Sequence, residues 1–336
     1  MRRVLALVWM LATAAGAGAH AQTPQLDVRI DTSEAEAVLA IIALHGDGHA
    51  VPESAWTALF ATDGYRRLQR REHSLGRAFE DTAFRRFALT DTLAVRAPLL
   101  AATLESWRSV DPEAAARRAF AYLPPGTRLR ATIYPVIKPA ANTFVFETAT
   151  DPAIFFYLDP ALTAAQFENT LAHELHHIGY TAACSDAPAQ PAADRLRLGA
   201  FGEGIAMLAA AGGADVHPHA TSAAADRARW DADVARFDDD VRTLERYFLD
   251  VLDGRLDEQA ARERAMEFYG VQGPWYTVGW VMGAEIERAY GRDHLVATLC
   301  DPVALLESYN AAMRAAGGAP ARLLWSDALM TRLRSD

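Results

Sequence analysis

The chain has 336 residues, of which 51% are hydrophobic and 23% are charged, so its composition is that of a globular protein and argues against intrinsic disorder. Its 33 basic residues face 43 acidic ones, which gives a net charge of −10 with histidine neutral. We expect no nucleic-acid partner, because phosphate binding needs clustered positive charge.

The N-terminus has the pattern of a cleavable signal peptide. Two arginines follow Met1, residues 4–17 form an apolar run, and Ala19-His20-Ala21 supplies the small residues of a cleavage site. We expect cleavage after Ala21 and a secreted or periplasmic protein; the alternative is an uncleaved anchor. No later segment has the roughly 18 apolar residues of a membrane-spanning helix, so we expect no stable membrane insertion after cleavage.

The region after the signal, residues 22–123, is expected to be an N-terminal helical region. Apolar residues recur at helical spacing in five segments: 33–44, 52–60, 75–87, 91–107 and 112–121. No cluster of catalytic residue types occurs there.

A breaker, Leu123-Pro124-Pro125-Gly126, separates this region from residues 124–336, in which we place the catalytic region. Segments 129–137, 143–146 and 153–158 are rich in β-branched and aromatic residues and predict strands.

Thr163 followed by Gln166 is a capping box, which predicts a helix from there to Ile178 that stops at Gly179. The remaining predicted helices are 196–211, a long one over 222–252, and 257–268, 276–290 and 302–316. The predicted fold is therefore α+β and predominantly helical. Its small sheet, within residues 129–158, packs on the active-site helices of residues 163–212, flanked by N- and C-terminal helical layers.

Two cysteines, Cys184 and Cys300, remain in a chain expected to be exported. An oxidising compartment permits one disulfide between them, and two unpaired thiols are the alternative.

The chemically informative motif is His-Glu-x-x-His at residues 173–177. Residues four apart lie one above the other on a helix, so His173 and His177 can present two imidazole nitrogens to one ion. On the same helical wheel Glu174 lies between these histidines and the apolar face, whereas His176 points away from both and is expected to be exposed or to support the site. The motif predicts a divalent-metal site.

A catalytic zinc ion usually has three protein ligands, so a third must come from another segment. Glu203 is the preferred candidate, and Asp186, His217 and His219 are alternatives. The glycines at 199, 202 and 204 would let the helix of Glu203 approach that of His173 closely. A histidine six residues after His177 would indicate a metzincin, but position 183 is Ala.

The combination His173-Glu174-x-x-His177 and Glu203-Gly-x-Ala resembles the gluzincin clan of zinc metallopeptidases over about residues 131–213. More narrowly, residues 169–180, the Gly-Glu-Gly-Ile-Ala run and residues 275–279 are similar to uncharacterised secreted bacterial zinc-dependent peptidases. One departure is Met207, where many gluzincins have an Asp that supports the first histidine. Asn169, or an acidic residue of another helix, is then left as the possible support.

The resemblance implies a Zn²⁺ cofactor and a hydrolytic mechanism. Zinc activates a water molecule, Glu174 acts as general base, and a donor stabilises the oxyanion. Tyr276 is the first candidate for that donor, with His294 and Tyr180 as alternatives. Segment 153–158 would bind an extended peptide at a strand edge, or would simply be a buried strand.

The predicted function is therefore that of a secreted zinc metallopeptidase acting on peptides or proteins. Two alternatives stay open at this point. One is a secreted binding or structural domain with a zinc site and no turnover, and the other is a zinc hydrolase of non-peptide amides or esters.

Overall fold

The computed structural model describes residues 25–185, 201–316 and 322–334. Its sheet has four strands, β1 (Gln25–Ile30), β2 (Arg128–Val136), β3 (Phe144–Phe146) and β4 (Ala153–Tyr157). The strands lie in the order β1-β2-β4-β3; β2 is parallel to both β1 and β4, and the edge strand β3 is antiparallel to β4.

Three of these strands confirm the sequence prediction, and β1 was not predicted. The possible role of segment 153–158 as a binding edge for substrate is wrong, because β4 lies between β2 and β3. Phe155, Phe156 and Leu158 are fully buried. The other reading of this segment, a buried strand, is the correct one.

The N-terminal region is helical, as predicted, between β1 and β2. Its helices are α1 (Ser33–Gly46), α2 (Glu53–Ala61), α3 (Asp63–Ser74), α4 (Asp81–Ala88), α5 (Asp91–Arg108) and α6 (Pro112–Phe120).

The helix predicted over 75–87 is wrong in its first half. Leu75 follows the last residue of α3 and is 50% exposed. Gly76 has a φ of 69°, which breaks the helix before α4 begins at Asp81. Helix α3 was missed because it is rich in arginine, and it buries Arg67 together with Tyr65 and Leu68. Apolar periodicity gives little signal for such a helix.

Two helices carry the His-Glu-x-x-His motif and Glu203: α7 (Ala164–Cys184) and α8 (Gly202–Ala211). The predicted stop at Gly179 is wrong, since α7 continues for five more residues. A Cβ atom at Gly179 would lie 2.2 Å from Leu123 Cδ1, so this glycine provides room for a close contact. Residues 196–200 of the other predicted helix lie outside the described residues.

The C-terminal part is helical in every described element. Its helices are α9 (Ala224–Val234), α10 (Phe237–Leu252), α11 (Glu258–Glu267), α12 (Pro274–Tyr290), α13 (Arg292–Thr298), α14 (Pro302–Ala315) and α15 (Asp327–Arg334).

The single long helix predicted over 222–252 is wrong, because the helix is interrupted at Ala235 and Arg236, between α9 and α10. The break places Asp238, Asp239 and Asp240 in the first turn of α10. Acidic residues are favoured there by the partial positive charge of a helix N-terminus.

Helix α7 lies where two hydrophobic cores meet. Its residues Phe167, Leu171, Leu175 and Ile178 belong to the core that joins the sheet to the N-terminal helices. The second core joins α8 to the C-terminal helices and includes Phe201 and Ile205. The predicted fold class is confirmed: predominantly helical α+β, with a small sheet packed on the helix that carries the histidines.

A disulfide joins Cys184, the last residue of α7, to Cys300, with Cα atoms 5.2 Å apart. Of the two possibilities left open for these cysteines, the structure therefore has the bridge. It links the helix with the histidines to the segment between α13 and α14.

Within the described ranges, no helix is by itself both long and apolar enough to cross a membrane. Helices α4 and α5 reach that length and composition only as a pair, with a bend of 75° between them.

Candidate metal centre

The orientation of α7 follows from its sequence. Thr163 N–H donates to Gln166 Oε1 (2.9 Å), and Gln166 N–H donates to Thr163 Oγ1 (3.2 Å), which completes the predicted capping box. The apolar stripe from Phe167 to Ile178 is buried against the sheet. Burial of that stripe turns the polar face of α7, with the two histidines of the motif, towards α8.

His173, His177 and Glu203 meet at one point. The Nε2 atoms of the two histidines are 3.0 Å apart, and Glu203 Oε2 lies 3.2 Å from that of His173 and 3.1 Å from that of His177. The three residues are half-buried or buried, and each offers one ligand atom to a common centre. The structure thus brings together the three residues predicted as metal ligands.

The donor set fits zinc. Two imidazole nitrogens and a carboxylate oxygen are ligands that zinc prefers, and atoms bound to a tetrahedral zinc ion at about 2.0–2.1 Å lie about 3.3 Å from one another. The observed triangle, with sides of 3.0–3.2 Å, is close to that size. Lone pairs on two imidazole nitrogens at such a distance repel each other. A cation between the nitrogens stabilises this arrangement.

The charges of the cluster also suit a cation. Burial by itself raises the pKa of the Glu203 carboxyl, but hydrogen bonds with both imidazoles outweigh burial and hold that pKa well below its usual range. Burial likewise lowers the pKa of His177, and the carboxylates of Glu203 and Glu174 more than compensate and raise it. A carboxylate that stays ionised can act as a metal ligand near neutral pH.

Gly204 of α8 lies against α12 and not against α7. A Cβ atom on Gly204 would lie 2.1 Å from the backbone N of Trp280, and one on Gly279 would lie 2.6 Å from the O atom of Phe201. The expectation that the glycines serve the approach to α7 is therefore wrong for Gly204. Gly202 has no neighbour within 4 Å of its Cβ position, and Gly199 lies outside the described residues.

This contact between α8 and α12 places Tyr276 at the metal ligands. Its ring stacks on that of His173, with centroids 6.3 Å apart and planes at 13°. Burial, together with the charge of Glu203 and a hydrogen bond to it, raises the pKa of the Tyr276 hydroxyl. Tyr276 stays protonated at neutral pH and keeps a proton to donate.

The cluster opens into a cleft of about 460 Å³. His173, Glu174 and Tyr276 line it, so both residues predicted to be catalytic lie at the same opening as a predicted ligand. Glu174 is half-buried on α7. The arrangement puts a carboxylate and a phenol beside one candidate cation site.

The other candidates are placed elsewhere. His217 Nε2 is bonded to Asp231 Oδ1 (3.0 Å), and His219 Nδ1 to Ser222 Oγ (3.0 Å), so neither belongs to the triangle, although His219 lines the cleft. His294 is bonded to Ser308 Oγ and, like Tyr180, does not line the cleft. Asp186 lies outside the described residues.

His176 is not exposed, contrary to one of the two expectations for it. It is fully buried, and its Nε2–H donates to the carbonyl of Tyr122 at 3.2 Å. Burial, reinforced by the neighbouring His177, lowers the pKa of His176 to about 3. The face of α7 that carries His176 is covered by α6 and the residues after it. The spacing of residues within α7 does not reveal this contact.

The support of His173 differs from the usual pattern. Its Nδ1 atom is buried without a hydrogen-bond partner among the described residues, so Asn169 does not support it there. Met207, at the position for which the gluzincin resemblance implies an acid, lines the cleft.

Sequence reasoning missed the wall of the cleft opposite α7. Thr221, Ser222 and Arg229 line it from one side, and Val271 and Gln272 from the turn before α12. Gln272 has a φ of 77°, which is unusual for a residue with a side chain. All of them except Arg229, which lies within α9, are in loops, and their types carry no motif.

Comparison with known proteins agrees with this site. A family model described as "Putative zinc dependent peptidase (DUF5700)" matches residues 56–317, well over half of the chain. No curated protein and no solved structure matches the chain. The matched range contains His173, Glu174, His177, Glu203 and Tyr276, and the predicted zinc cofactor is confirmed by the zinc dependence of the family together with this cluster. The chain belongs to the family that carries this description.

Proposed function

We propose that the protein is a secreted, gluzincin-type zinc metallopeptidase that cleaves peptide bonds. The observation that carries the proposal is the convergence of His173, His177 and Glu203 at one point, beside a cleft that His173 and Glu174 line. The family description supports peptide or protein as the substrate.

His173, His177 and Glu203 would hold the metal. A zinc ion bound by them supplies Lewis-acid polarisation of the scissile carbonyl and makes water more acidic. Glu174 accepts one proton from the attacking water and passes it to the nitrogen of the leaving amine as the C–N bond breaks. The products are a carboxylic acid and an amine, so one water is consumed for each bond cleaved.

Tyr276 is the proposed donor to the oxyanion. It lies on the ring of His173 and keeps its proton, since the pKa of its hydroxyl is raised. Oriented donors at a developing negative charge typically contribute 10²–10³-fold in rate. The contact of its ring with that of His173 would hold the hydroxyl beside the ligands before substrate binds.

Export is part of the proposal. The N-terminal sequence has the pattern of a cleavable signal with a site after Ala21. The bridge between Cys184 and Cys300 supports an oxidising compartment, because disulfides rarely persist in a reducing cytosol.

The test is the Glu174→Gln variant, which keeps the size of the side chain and removes the base. Zinc content is measured by elemental analysis, and hydrolysis is followed with an internally quenched peptide library. We expect about one zinc per chain in both proteins and a loss of activity of about 10²–10⁴-fold in the variant. Glu105→Gln, an exposed change on α5, is the matched control.

Two outcomes would contradict the proposal. A wild-type protein that carries zinc and cleaves no peptide would favour a structural zinc site or a non-peptide substrate. A Glu174→Gln variant as active as the wild type would remove Glu174 from the mechanism.

A further inference from the structure

We propose that Asn169 binds the backbone of the substrate, so that its carboxamide fixes the peptide along α7 beside Glu174. The inference rests on the proposed peptidase function and assigns a substrate contact within that site.

Asn169 lies on the polar face of α7. Five residues of this helix line the cleft: Gln166, Asn169, Thr170, His173 and Glu174. Asn169 precedes His173 by four residues, which places the two side chains one above the other on the helix surface. Its side chain is half-buried, so it is reachable from the cleft.

The other polar side chains of this face have at least one partner or a role in the proposed mechanism. The Oε1 atom of Gln166 accepts from Thr163 in the capping box, and the Thr170 hydroxyl donates to the carbonyl of Gln166 at 3.0 Å. His173 and Glu174 are assigned to the metal and to proton transfer. The Asn169 carboxamide forms no hydrogen bond or ion pair with any part of the chain that the structure describes.

The role that sequence reasoning left open for Asn169 is not the one the structure shows. Support of a ligand would require a bond to His173 Nδ1, and that atom has no partner among the described residues. Asparagine is also a less favourable residue than alanine in the interior of a helix. A residue that disfavours the helix and lines the cleft agrees with a function in binding.

The chemistry of the carboxamide identifies its partner. It carries two N–H donors and a carbonyl acceptor, which match the carbonyl and the N–H of a peptide group. A helix is a rigid support for such a contact, more so than a loop. The probe is therefore an extended peptide whose backbone amide lies against α7 while the next bonds reach Glu174.

The experiment couples a change in the protein to a change in the substrate. A peptide cut by the wild type is selected from an internally quenched decapeptide library. It is then resynthesised with each backbone N–H in turn replaced by an ester oxygen. Wild type, Asn169→Ala and the control Gln259→Ala, which removes an exposed carboxamide from α11, are compared by kcat/KM and zinc content.

We expect Asn169→Ala to keep about one zinc per chain and to lose about tenfold in kcat/KM, as for the loss of one hydrogen bond of about 1.4 kcal/mol. The wild type should discriminate against the ester at one position by a similar factor, and Asn169→Ala should lose the discrimination at that position alone. Gln259→Ala should behave as the wild type throughout.

Several results would overturn the inference. A kcat/KM of Asn169→Ala within twofold of the wild-type value on the peptide would do so. A loss of kcat/KM accompanied by loss of zinc would do so as well. Unchanged ester discrimination at every position in Asn169→Ala would also exclude the contact. A wild type that cuts no library member would instead contradict the peptidase function and remove the inference with it, so the two failures are distinct.

Discussion

Gly204 of α8 lies directly against Gly279 of α12, and neither position has room for a side chain. A Cβ atom at Gly204 would come within 2.4 Å of the carbonyl carbon of Gly279. Glu203 is the residue before Gly204, and Tyr276 lies one turn before Gly279. The contact between these two glycines therefore sets the distance between a metal ligand and the proposed oxyanion donor.

Gly204→Ala should weaken both folding and zinc binding. Its Cβ atom meets backbone rather than a movable side chain, so the helices must separate, at a cost of about 3 kcal/mol or more in the free energy of unfolding. Urea unfolding and zinc content measure the two effects.

Gly202→Ala is the matched control, because nothing lies within 4 Å of its Cβ position. Its unfolding free energy should stay within about 1 kcal/mol of the wild type, with full zinc content. Equal stability and equal zinc content in the two variants would show that the packing of α8 on α12 does not determine the site.

Tyr276→Phe should retain zinc and lose activity. The change removes only the hydroxyl, so stacking on His173 persists, while the donor to the oxyanion is lost. We expect kcat to fall about 10²-fold with a much smaller effect on KM. Tyr290→Phe, at an exposed tyrosine outside the cleft, should leave both unchanged. Full kcat in Tyr276→Phe would exclude the proposed role.

Glu34 should make the stability of the fold depend on pH. Burial raises its pKa from 4.5 to about 8, against the opposing effects of the Ile137 N–H and Lys138. An acid with a raised folded pKa contributes its full stability below pH 4.5 and loses it as pH rises through 8. The shift corresponds to about 5 kcal/mol at most.

The measurement is urea unfolding of the wild type and Glu34→Gln at pH 5 and pH 9. Glutamine cannot ionise, so the difference in unfolding free energy should move in favour of the variant as pH rises. Comparison of the two proteins cancels the pH dependence of the other groups. A difference that is the same at both pH values would show that the pKa of Glu34 is not raised in the folded protein.

The bridge between Cys184 and Cys300 should stabilise the fold substantially. It spans 116 residues of sequence, and closing a loop of that length lowers the entropy of the unfolded chain by the equivalent of up to about 5 kcal/mol. Replacing both cysteines with serine should lower the unfolding free energy by up to that amount. Adding reductant should lower the stability of the wild type and leave that of the variant unchanged; no effect in either case would contradict the prediction.

The fold class and most elements could be predicted because they follow from local signals. The capping box at Thr163, the Pro-Pro-Gly breaker and the strands after it each act over a few residues. The failures have non-local causes. Helix α3 buries Arg67 through ion pairs with Glu147 and Asp151, which lie far away in the sequence. Gly179 continues a helix because Leu123 packs on it.

The site divides in the same way. His173 and His177 could be predicted from their spacing within one helix. Glu203 could be predicted from the short glycine-containing run around it. The burial of His176 depends on Tyr122, and the opposite wall of the cleft depends on how the loops around His219 and Gln272 are held. Those contacts come from tertiary packing, and no periodicity in the sequence encodes them.

The central claim is that two imidazoles and one distant carboxylate hold a single zinc ion. The most direct test is the zinc content, by elemental analysis after exhaustive dialysis, of the wild type, His173→Ala, His177→Ala and Glu203→Ala, with Glu267→Ala as an exposed control. We predict about one zinc per chain in the wild type and the control, and far less than one in each of the three variants. A full equivalent of zinc retained in all three would contradict the account.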